Sequence, residues 1–384
     1  MWRNIASNAL SFLIVLLFIL GGVVLWGKSQ YRVEGPLEQA ICLEVASGTN
    51  FRRVADNLDQ QGAISSKMIF NMGVDFTGAG SQLKAGSFIV PAAASMESII
   101  DIITRGGQST CGTEILYRIG VNAATVEVRQ MDPETARYDE VADFELGSDV
   151  PEIYTTVAGQ NDTRFRIAIA EGVTSWQIMT SLNAIDTLDG DVDVIPAEGS
   201  LSPDSYEFTK GASVADILSR MEAAQATILA QAWENRADNL PFDTPEEALT
   251  LASIVEKETG IASERPLVAS VFINRLEQGM RLQTDPTVIY GITKGQGSLG
   301  RGLRQSELQR ETPYNTYVIT GLPPSPIANP GKASIEAVLN PEQSDYIFFV
   351  AKTLNPADGH VFAATLNEHN RNVAAYRELE RAAN

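Results

Sequence analysis

Apolar and polar residues recur with a helical period in the segment TPEEALTLASIVEKETG, from Thr244 to Gly260. Thr244 can cap a helix, Pro245 suits a first turn, and Glu247 stands three residues after the cap, where a capping box needs its carboxylate. Gly260 is typical of the position just after a helix end. The pattern therefore predicts one amphipathic helix with defined ends.

One acidic residue lies on the apolar face of this predicted helix. At about 100° per residue, Leu251, Ile254 and Val255 share one face, and Glu258 lies among them. Burial there disfavours the charged form of a carboxylic acid and raises its pKa, so the acid stays protonated closer to neutral pH. Glu258 is therefore a candidate proton donor. Glu256 falls close to the opposite side and is expected to be an ordinary surface glutamate.

A purely structural role for Glu258 is the alternative. A glutamate at a helix end can extend into solvent or pair with an arginine, and Arg265 and Arg275 follow nearby in the chain. Strongly perturbed carboxylates mark functional sites only as a statistical tendency. The helical pattern alone leaves both roles open.

In the rest of the second half of the chain, the sequence pattern predicts both helices and strands. The predicted fold class is therefore α+β. A long helix from about Val214 to Ala237 precedes the central one. After it, Ser263 can cap a helix, and Asp285 can cap a short helix that Pro286 starts. The elements predicted beyond these are a helix near Ser334 to Leu339, a hairpin of strands around Ile347 to Val350 and His360 to Ala363, and a final helix to Arg381.

The first half of the chain predicts a small module and a strand-rich segment. Residues 40–108 follow the order strand, helix, helix, strand, a βααβ-like unit, with a further helix from Met96 to Arg105. This unit carries no carboxylate on an apolar face, so it is expected to pack or bind. Residues 109–163 predict short strands with a polar, mobile insertion over the acidic stretch from Asp132 to Asp149.

An uncharged apolar run ends at Trp26 and makes residues 9–27 a predicted transmembrane helix behind a short tail of residues 1–8. The run approaches the roughly 20 residues that a spanning helix needs. A cleaved signal peptide is the alternative, although no A-x-A-like site follows the run. Arg3 on one side, and Lys28 with Arg32 on the other, leave the orientation open by the positive-inside rule. A large domain behind a tiny tail favours an outward-facing body.

Charge and cysteine content narrow the setting. The chain has 48 acidic and 29 basic residues among 384, a formal net charge of -19. This charge argues against a phosphate-binding surface, so no nucleic-acid partner is expected. Cys42 and Cys111 both follow the apolar run, and they suit either one disulfide in an oxidising compartment or two buried thiols.

Carboxylate chemistry is the reaction type that the motifs favour. The two histidines, His360 and His369, form no metal-ligand spacing with the cysteines, and neither a metal nor a cofactor is expected. A G-x-S-x-G elbow and phosphate-binding loops are also missing from the sequence. Polar and aromatic groups in the loops that follow Glu258 suit a carbohydrate cleft. These candidate substrate-binding residues are Gln283, Thr284, Asp285, Tyr290, Tyr314, Asn315, Tyr317 and Asn329.

Several long segments resemble the endolytic murein transglycosylase (YceG-like) family: LASIVEKETG, SERPLVASVFINRLEQGMRLQTDPTVIYG, YNTYVITGLPPSPIANPG and GHVFAATLNEHNRNV. The resemblance covers roughly Arg166 to Arg381, and more loosely Cys42 to Gly107, which resembles that family's LysM-like module. It implies a LysM-like domain over 40–108, a strand-rich acidic insertion or linker over 109–163, longer than the family pattern, and a mixed α+β catalytic domain over 164–384.

The resemblance also implies an activity. The chain would be a single-pass inner-membrane lyase with a cytoplasmic N-terminus and a periplasmic catalytic domain. It would cut the MurNAc-GlcNAc bond inside nascent peptidoglycan strands, leave 1,6-anhydroMurNAc ends and limit glycan elongation. Glu258 matches the catalytic glutamate of the family's E-K-E-T motif. The implied partners are glycan strands, the inner membrane and the peptidoglycan synthases of elongation or division.

Two alternatives to this activity remain open. A hydrolytic muramidase would need a second carboxylate at a defined separation from Glu258, and the candidates are Glu256, Glu264 and Asp285. A membrane-anchored scaffold would bind peptidoglycan through the LysM-like module without cutting it. The mass of the cleavage products distinguishes the muramidase from the lytic transglycosylase. The effect of replacing Glu258 distinguishes the scaffold from an enzyme.

Overall fold

A computed structural model describes residues 2–105, 110–160 and 162–383, with side chains from residue 12 onward. The chain forms two compact units. The first comprises Met1–Ile115, Glu127–Asp143 and Val150–Arg164, and the second comprises Leu116–Val126, Phe144–Asp149 and Phe165–Asn384. The expected domain boundary near 107 and 108 falls outside the described residues. The domain limits taken from the sequence remain a proposal.

The N-terminal helix α1 spans Trp2–Arg32, longer at both ends than the predicted residues 9–27. The most apolar 18-residue stretch of its part from Phe12 to Arg32 has a mean hydropathy of 2.2 and is not buried inside the protein, whereas Tyr31 near the end of the helix is buried. Within the part of the chain that the structure describes, this is the one helix long and apolar enough to cross a membrane. An anchor and a signal sequence share these properties.

The small module of the first unit has the predicted order of elements. β1 and β2 pair antiparallel, with Leu43 opposite Phe88. Ser66 caps α3 through its side chain, and Phe70, Leu58 and Ile99 are fully buried in the module core. The elements are β1 Ile41–Val45, α2 Phe51–Gln60, α3 Lys67–Thr77, a 3-10 turn Ala79–Ser81, β2 Gly86–Val90 and α4 Met96–Thr104.

A disulfide joins Cys42 to Cys111, so the structure selects the bridge over two free thiols. The Cα atoms are 5.9 Å apart, inside the range that a disulfide can span. The bridge closes a loop with a sequence separation of 69 residues. By the loop-entropy relation a bridge of this span stabilises the folded state by about 4 kcal/mol.

The acidic stretch from Asp132 to Asp149, predicted to interrupt the strands as a polar insertion, is itself a regular strand for half its length. Strand β5 runs from Arg137 to Glu145, with only Tyr138, Ala142 and Phe144 partly buried on one side. Because β5 lies at the edge of its sheet, most of its side chains are solvated, and polar residues obscure the period of two. The neighbouring elements are β3 Thr113–Ile119, β4 Ala124–Asp132, α5 Glu152–Ala158 and β6 Arg164–Ile169.

The second unit is mostly helical. Helix α8 contacts α7, α9 and α12 in its core. The elements in chain order are α6 Ser175–Asn183, β7 Leu188–Asp189, β8 Ser205–Phe208, β9 Ala212–Ser213, α7 Val214–Glu234, α8 Pro245–Glu258, α9 Arg265–Glu277, α10 Asp285–Thr293, α11 Gln305–Leu308, α12 Lys332–Leu339, β10 Phe348–Ala351, a 3-10 turn Pro356–Asp358, β11 His360–Ala363 and α13 Leu366–Ala383.

The sheets are small. A five-stranded sheet has the order β5-β4-β3-β6-β8, and β6 pairs antiparallel with β8. Strands β7 and β9 pair parallel, and β10 and β11 form the predicted antiparallel hairpin with Phe349 opposite Phe362. The fold is therefore mixed α+β, as the sequence predicted.

Two helix caps differ from the prediction. Helix α9 begins at Arg265 with Glu264 at the N-cap instead of Ser263, and α10 begins at Asp285 with Thr284 at the N-cap. Neither N-cap side chain bonds its own helix, because the Glu264 carboxylate contacts His360 and the Thr284 hydroxyl contacts Glu258. The side chains of Glu264 and Thr284 therefore make tertiary contacts in the site described next, in place of capping their helices.

Candidate active site

Helix α8 positions Glu258, and its N-terminus forms as predicted. Thr244 and Glu247 make a reciprocal capping box, and Pro245 is in the first turn. The helix ends at Glu258 itself, because Thr259 is extended, with φ -143° and ψ 130°, and Gly260 lies beyond the end. The C-terminal end of a helix carries partial negative charge, which disfavours a carboxylate there.

The apolar face of α8 is in the core, as the period predicted. Leu251, Ile254 and Val255 have no exposed surface. Glu258 keeps part of its surface accessible, while protein atoms surround its carboxyl group. The last turn of α8 therefore places the Glu258 carboxyl group where the core meets the protein surface.

Burial raises the pKa of Glu258, and the nearby charge of Asp285 raises it further. A hydrogen bond from Thr284, and the positive charges of His360 and Arg275, act in the opposite direction without cancelling the shift. The Thr284 hydroxyl donates to Oε1 of Glu258. With Oε1 acting as an acceptor, the proton of the carboxylic acid belongs on Oε2.

A buried threonine network holds the Thr284 hydroxyl in place. The Thr284 N–H donates to Thr316 Oγ1 at 3.1 Å, and the hydroxyls of Thr287 and Thr316 are 2.8 Å apart. The preceding residue, Gln283, is exposed, has a left-handed backbone with φ +50°, and donates its N–H to the Thr316 carbonyl. Such backbone strain persists only where surrounding contacts enforce it. The orientation of Thr284 is thus set by the fold.

Arg275 approaches the site without forming an ion pair with Glu258. Its Nε donates to the Ile347 carbonyl at 2.7 Å, and its Nη1 donates to the Leu282 carbonyl at 2.6 Å. Arg265 contacts Glu171 and Glu256 instead. Among the described residues no arginine lies within ion-pair distance of Glu258, so the paired structural role considered for this glutamate is not observed.

Asp285 and Tyr317 form a pair beside Glu258. The Tyr317 hydroxyl donates to Asp285 Oδ1 at 2.6 Å. Burial and then the Asp285 carboxylate raise the pKa of Tyr317, so the phenol remains a neutral donor. Asp285 itself is exposed and carries a charge that Glu258 experiences. Asp285 is thus the nearby acidic group that is accessible to a ligand.

His360 and Glu264 form a second polar pair whose importance the sequence did not indicate. Glu264 Oε2 lies 2.9 Å from His360 Nδ1, and Glu264 Oε1 accepts the His360 backbone N–H at 2.8 Å. The ring of His360 packs edge-on against Phe349. Two carboxylate oxygens therefore fix one imidazole near Glu258, and Glu264 is already occupied.

Two of the predicted tyrosines form an aromatic surface. The rings of Tyr290 and Tyr314 lie 5.1 Å apart, and the Lys294 ammonium is 4.9 Å from the Tyr314 ring centre. The Tyr314 hydroxyl contacts Ser325 Oγ at 2.7 Å. Burial raises the pKa of Tyr290, with a further contribution from Glu198. Both residues are partly buried against the hydrophobic core and partly exposed.

Two other predicted substrate-binding residues are buried inside the protein. The Asn315 amide donates to the carbonyls of Glu307, Leu308 and Arg310. The Asn329 amide donates to the Val173 carbonyl at 3.0 Å and its oxygen accepts the Leu201 N–H. Asn315 is 1% exposed and Asn329 is 0% exposed. These positions give the two amides a role in shaping loops, away from a ligand.

Glu256 is not the surface glutamate that was predicted. Its side chain is 4% exposed. Glu256 Oε2 accepts the Gly331 N–H at 3.0 Å and the Ser334 hydroxyl at 2.8 Å, so it caps the N-terminus of α12. Its other oxygen pairs with Arg265 at 3.4 Å. The polar side of α8 is covered by a distant chain segment, which the helical pattern could not reveal.

The described residues contain no group of three or more His, Cys, Asp or Glu side chains arranged to hold a metal ion. The chemistry that the site can perform with its own groups is proton transfer through Glu258. Thr284 orients the acid, and Asp285, Tyr317, Gln283, Tyr290 and Tyr314 remain as the candidate residues able to meet a ligand.

Comparisons with known proteins give concordant matches. The model of the YceG-like family matches residues 43–375. The endolytic murein transglycosylase of Bacillus subtilis is 30% identical over 355 residues, covering 92% of this chain and 89% of that protein. The endolytic murein transglycosylase of Streptococcus pneumoniae serotype 2 is 26% identical, covering 97% of this chain and 66% of that protein. The crystal structure of a YceG-like protein from Listeria monocytogenes aligns with a TM-score of 0.44 and 26% identity, covering 87% of this chain and 99% of that one.

Proposed function

The chain belongs to the YceG-like family, and on that basis we propose that it is an endolytic murein transglycosylase in which Glu258 is the catalytic acid. The curated relatives bear the name of a lytic transglycosylase, so the enzyme class is a carbon-oxygen lyase that acts on peptidoglycan. One observation carries the assignment of the acid. Glu258 has a raised pKa and receives a single hydroxyl donor on Oε1, which leaves Oε2 to hold a proton.

The proposed reaction needs one acid and no water. Glu258 Oε2–H protonates the glycosidic oxygen as the bond from the MurNAc C1 to that oxygen breaks. The resulting carboxylate then takes the proton of the same sugar's 6-hydroxyl, while O6 forms a bond to C1. The ring closes as a 1,6-anhydro end and Glu258 is protonated again. The Thr284 donor stabilises the carboxylate in the interval between the two proton transfers.

The remaining side chains of the site are proposed to hold the glycan. Tyr290 and Tyr314 offer ring faces on which a sugar can stack, and the exposed Gln283 and Asp285 offer polar groups for hydroxyls. The Tyr317 phenol, already bonded to Asp285, keeps that carboxylate oriented. Thr284 contributes through Glu258 and is a positioning residue.

The proposed setting is the inner membrane. Helix α1 would anchor the chain with its N-terminus in the cytoplasm and the residues that follow the helix in the periplasm, where tethering raises the local concentration of newly made strands. The βααβ module would act as a LysM-like glycan-binding element. Cutting inside nascent strands beside the synthases of elongation or division would limit glycan length. Release of the full-length protein by carbonate washing of membranes would exclude the anchor.

Product mass is the experiment that tests the reaction. Purified glycan strands digested by the protein should yield fragments with 1,6-anhydro ends, lighter by one water than hydrolytic ends. One observation supports a hydrolytic muramidase as the second candidate, because the exposed Asp285 lies close enough to raise the pKa of Glu258. Fragments with reducing ends would favour that muramidase and exclude the lyase.

A further inference from the structure

A cavity of about 330 Å³ lies next to the end of α8, where Lys257 of its wall directly precedes Glu258. Its walls include Lys257, Thr174, Gln177, Tyr290 and the loop Gly295–Gly300. Pro286, also in the cavity wall, directly follows Asp285 of the site. The cavity wall thus includes the residue that is next to the acid in the chain.

Lys257 carries a half-buried positive charge that has no counterion within the described part of the chain. Its Nζ donates to the Gly172 carbonyl at 3.2 Å, which uses one of the three ammonium hydrogens. Across the described residues, no carboxylate lies within 4.0 Å of this nitrogen, although Glu256 and Glu198 act on it from farther away. Burial lowers the pKa of Lys257, which is the cost of keeping an ammonium partly out of water.

The neighbouring acids have other partners. Glu256 is bound by Arg265 and by the N-terminus of α12, and Glu198 accepts the Ser175 N–H at 2.8 Å and the Asn329 amide at 3.3 Å. By contrast, the other cation at the cavity, Arg301, is neutralised by two hydrogen bonds to Glu307. Lys257 is the cavity cation that retains unused donors.

The loop opposite Lys257 leaves space for a ligand. Gly297 has φ +143°, which side chains rarely adopt, and no atom occupies the position that its Cβ would take. Thr174 fixes the start of the loop by donating to the Gly295 carbonyl at 2.6 Å. A cavity lined by glycine backbone and by an ammonium that has no carboxylate partner among the described residues matches a small anionic group.

We propose that this cavity is an anion subsite in which Lys257 binds a carboxylate of the peptide stem that the glycan substrate carries. The inference rests on the proposed function, because the sugar rings of that substrate are neutral and its carboxylates belong to the stems. A muramic acid bound with its glycosidic bond at Glu258 would place its stem within reach of the adjacent residue. Lys257 would then select stem-bearing strands over bare glycan.

The test compares two substrates and two variants. Full-length wild type and Lys257→Met are assayed on glycan strands with intact stems and on the same strands after an amidase has removed the stems. Lys332→Met is the matched control, because Lys332 lies in the same unit, is exposed and pairs with Glu336. Wild type should favour stem-bearing strands at least tenfold in kcat/KM. Lys257→Met should lose that preference through a higher KM and should keep the wild-type rate on bare strands.

Equal use of both substrates by wild type, or an equal loss on both in Lys257→Met, would overturn the subsite. These results differ from failure of the proposed function, in which wild type would cleave neither substrate. If Lys257→Met fails to fold, binding can be measured by calorimetry on full-length Glu258→Gln, which keeps Lys257. Free stem peptide should bind this protein at least tenfold more tightly than the peptide with its carboxylates amidated. Equal affinities, or tighter binding of inorganic pyrophosphate, would overturn the assignment.

Discussion

Two buried carboxylates stand two residues apart at the end of α8, in opposite surroundings. Glu256 accepts hydrogen bonds from a backbone N–H and a serine hydroxyl and pairs with an arginine. Glu258 has one hydroxyl donor, and burial raises its pKa. The number of donors, more than burial itself, separates a carboxylate that holds the structure together from one that can exchange a proton.

The largest expected difference concerns activity. Glu258→Gln keeps the size and the Oε1 acceptor of the side chain but removes the transferable proton. Cleavage of glycan strands should fall by roughly 10²- to 10⁴-fold, the usual contribution of general acid-base catalysis. Glu246→Gln, on the exposed start of the same helix, is the control and should keep wild-type activity. Glu258→Gln cleavage near the wild-type rate would show that another group is the acid, whereas retained cellular function of a Glu258→Gln protein that no longer cleaves would favour the scaffold.

The second difference concerns stability. Glu256→Gln removes the negative charge that Arg265 and the N-terminus of α12 share, and it leaves one acceptor where there were two. The loss should be about 1–3 kcal/mol, typical of buried hydrogen bonds to a charged group. Thermal unfolding of full-length protein measures it against Glu246→Gln. The remaining folded Glu256→Gln should cleave glycan at nearly the wild-type rate. An unchanged midpoint would mean that Glu256 does not tie α8 to α12.

A third change makes Glu258 less like Glu256 by removing the one donor that it has among the described residues, the Thr284 hydroxyl. Thr284→Val deletes a hydrogen bond that favours the carboxylate, so the pKa of Glu258 should rise further. The limb on which the rate falls with rising pH should move to higher pH, while the rate below it drops about tenfold, equivalent to ~1.4 kcal/mol. Thr284→Ser retains the hydroxyl and should restore the wild-type profile. A limb that moves to lower pH would contradict the assigned direction of this bond.

The smallest expected effect is a gain of stability in Glu258→Gln. The folded-state pKa of Glu258 is raised above its unfolded value, so the folded state binds more protons and loses stability as pH rises between the two values. At pH 7 the neutral glutamine should therefore unfold at a higher temperature than wild type, by about 1 kcal/mol or less. Below about pH 4, the unfolded value of glutamate, the difference should vanish. A gain in stability that is larger at pH 4 than at pH 7 would contradict a folded-state pKa above the unfolded value.

The two glutamates also show what the sequence could and could not predict. The apolar face of Leu251, Ile254 and Val255 follows from the local helical period and from the caps of α8. It was therefore predicted correctly, together with the position of Glu258. The polar side of α8 depends on residues more than 70 positions away. Ser253 is fully buried and accepts the Ile327 N–H, just as Glu256 accepts that of Gly331. A helix that is buried on two faces can carry polar residues on one of them when a distant loop supplies partners.

The same limit applies to the other predicted residues. Loop position and side-chain type selected Asn315 and Asn329, yet their amides are used by nearby and distant backbone groups. His360 was named only as the start of a strand and as a histidine without metal-ligand spacing, because its partner Glu264 lies 96 residues earlier in the chain. The mixed α+β class, the hairpin and the long helices followed from periodicity. The edge strand β5 did not, since its solvated residues obscure the alternation.

Direct titration of the Glu258 carboxyl group tests the central claim. Full-length protein with ¹³C-labelled glutamate side-chain carboxyls can be followed by NMR from pH 3 to pH 8, and the signal missing in Glu258→Gln identifies the residue. We expect a midpoint clearly above the ordinary glutamate value of about 4.3. A midpoint at or below that value would contradict the account, because Glu258 would then hold no proton to donate near neutral pH.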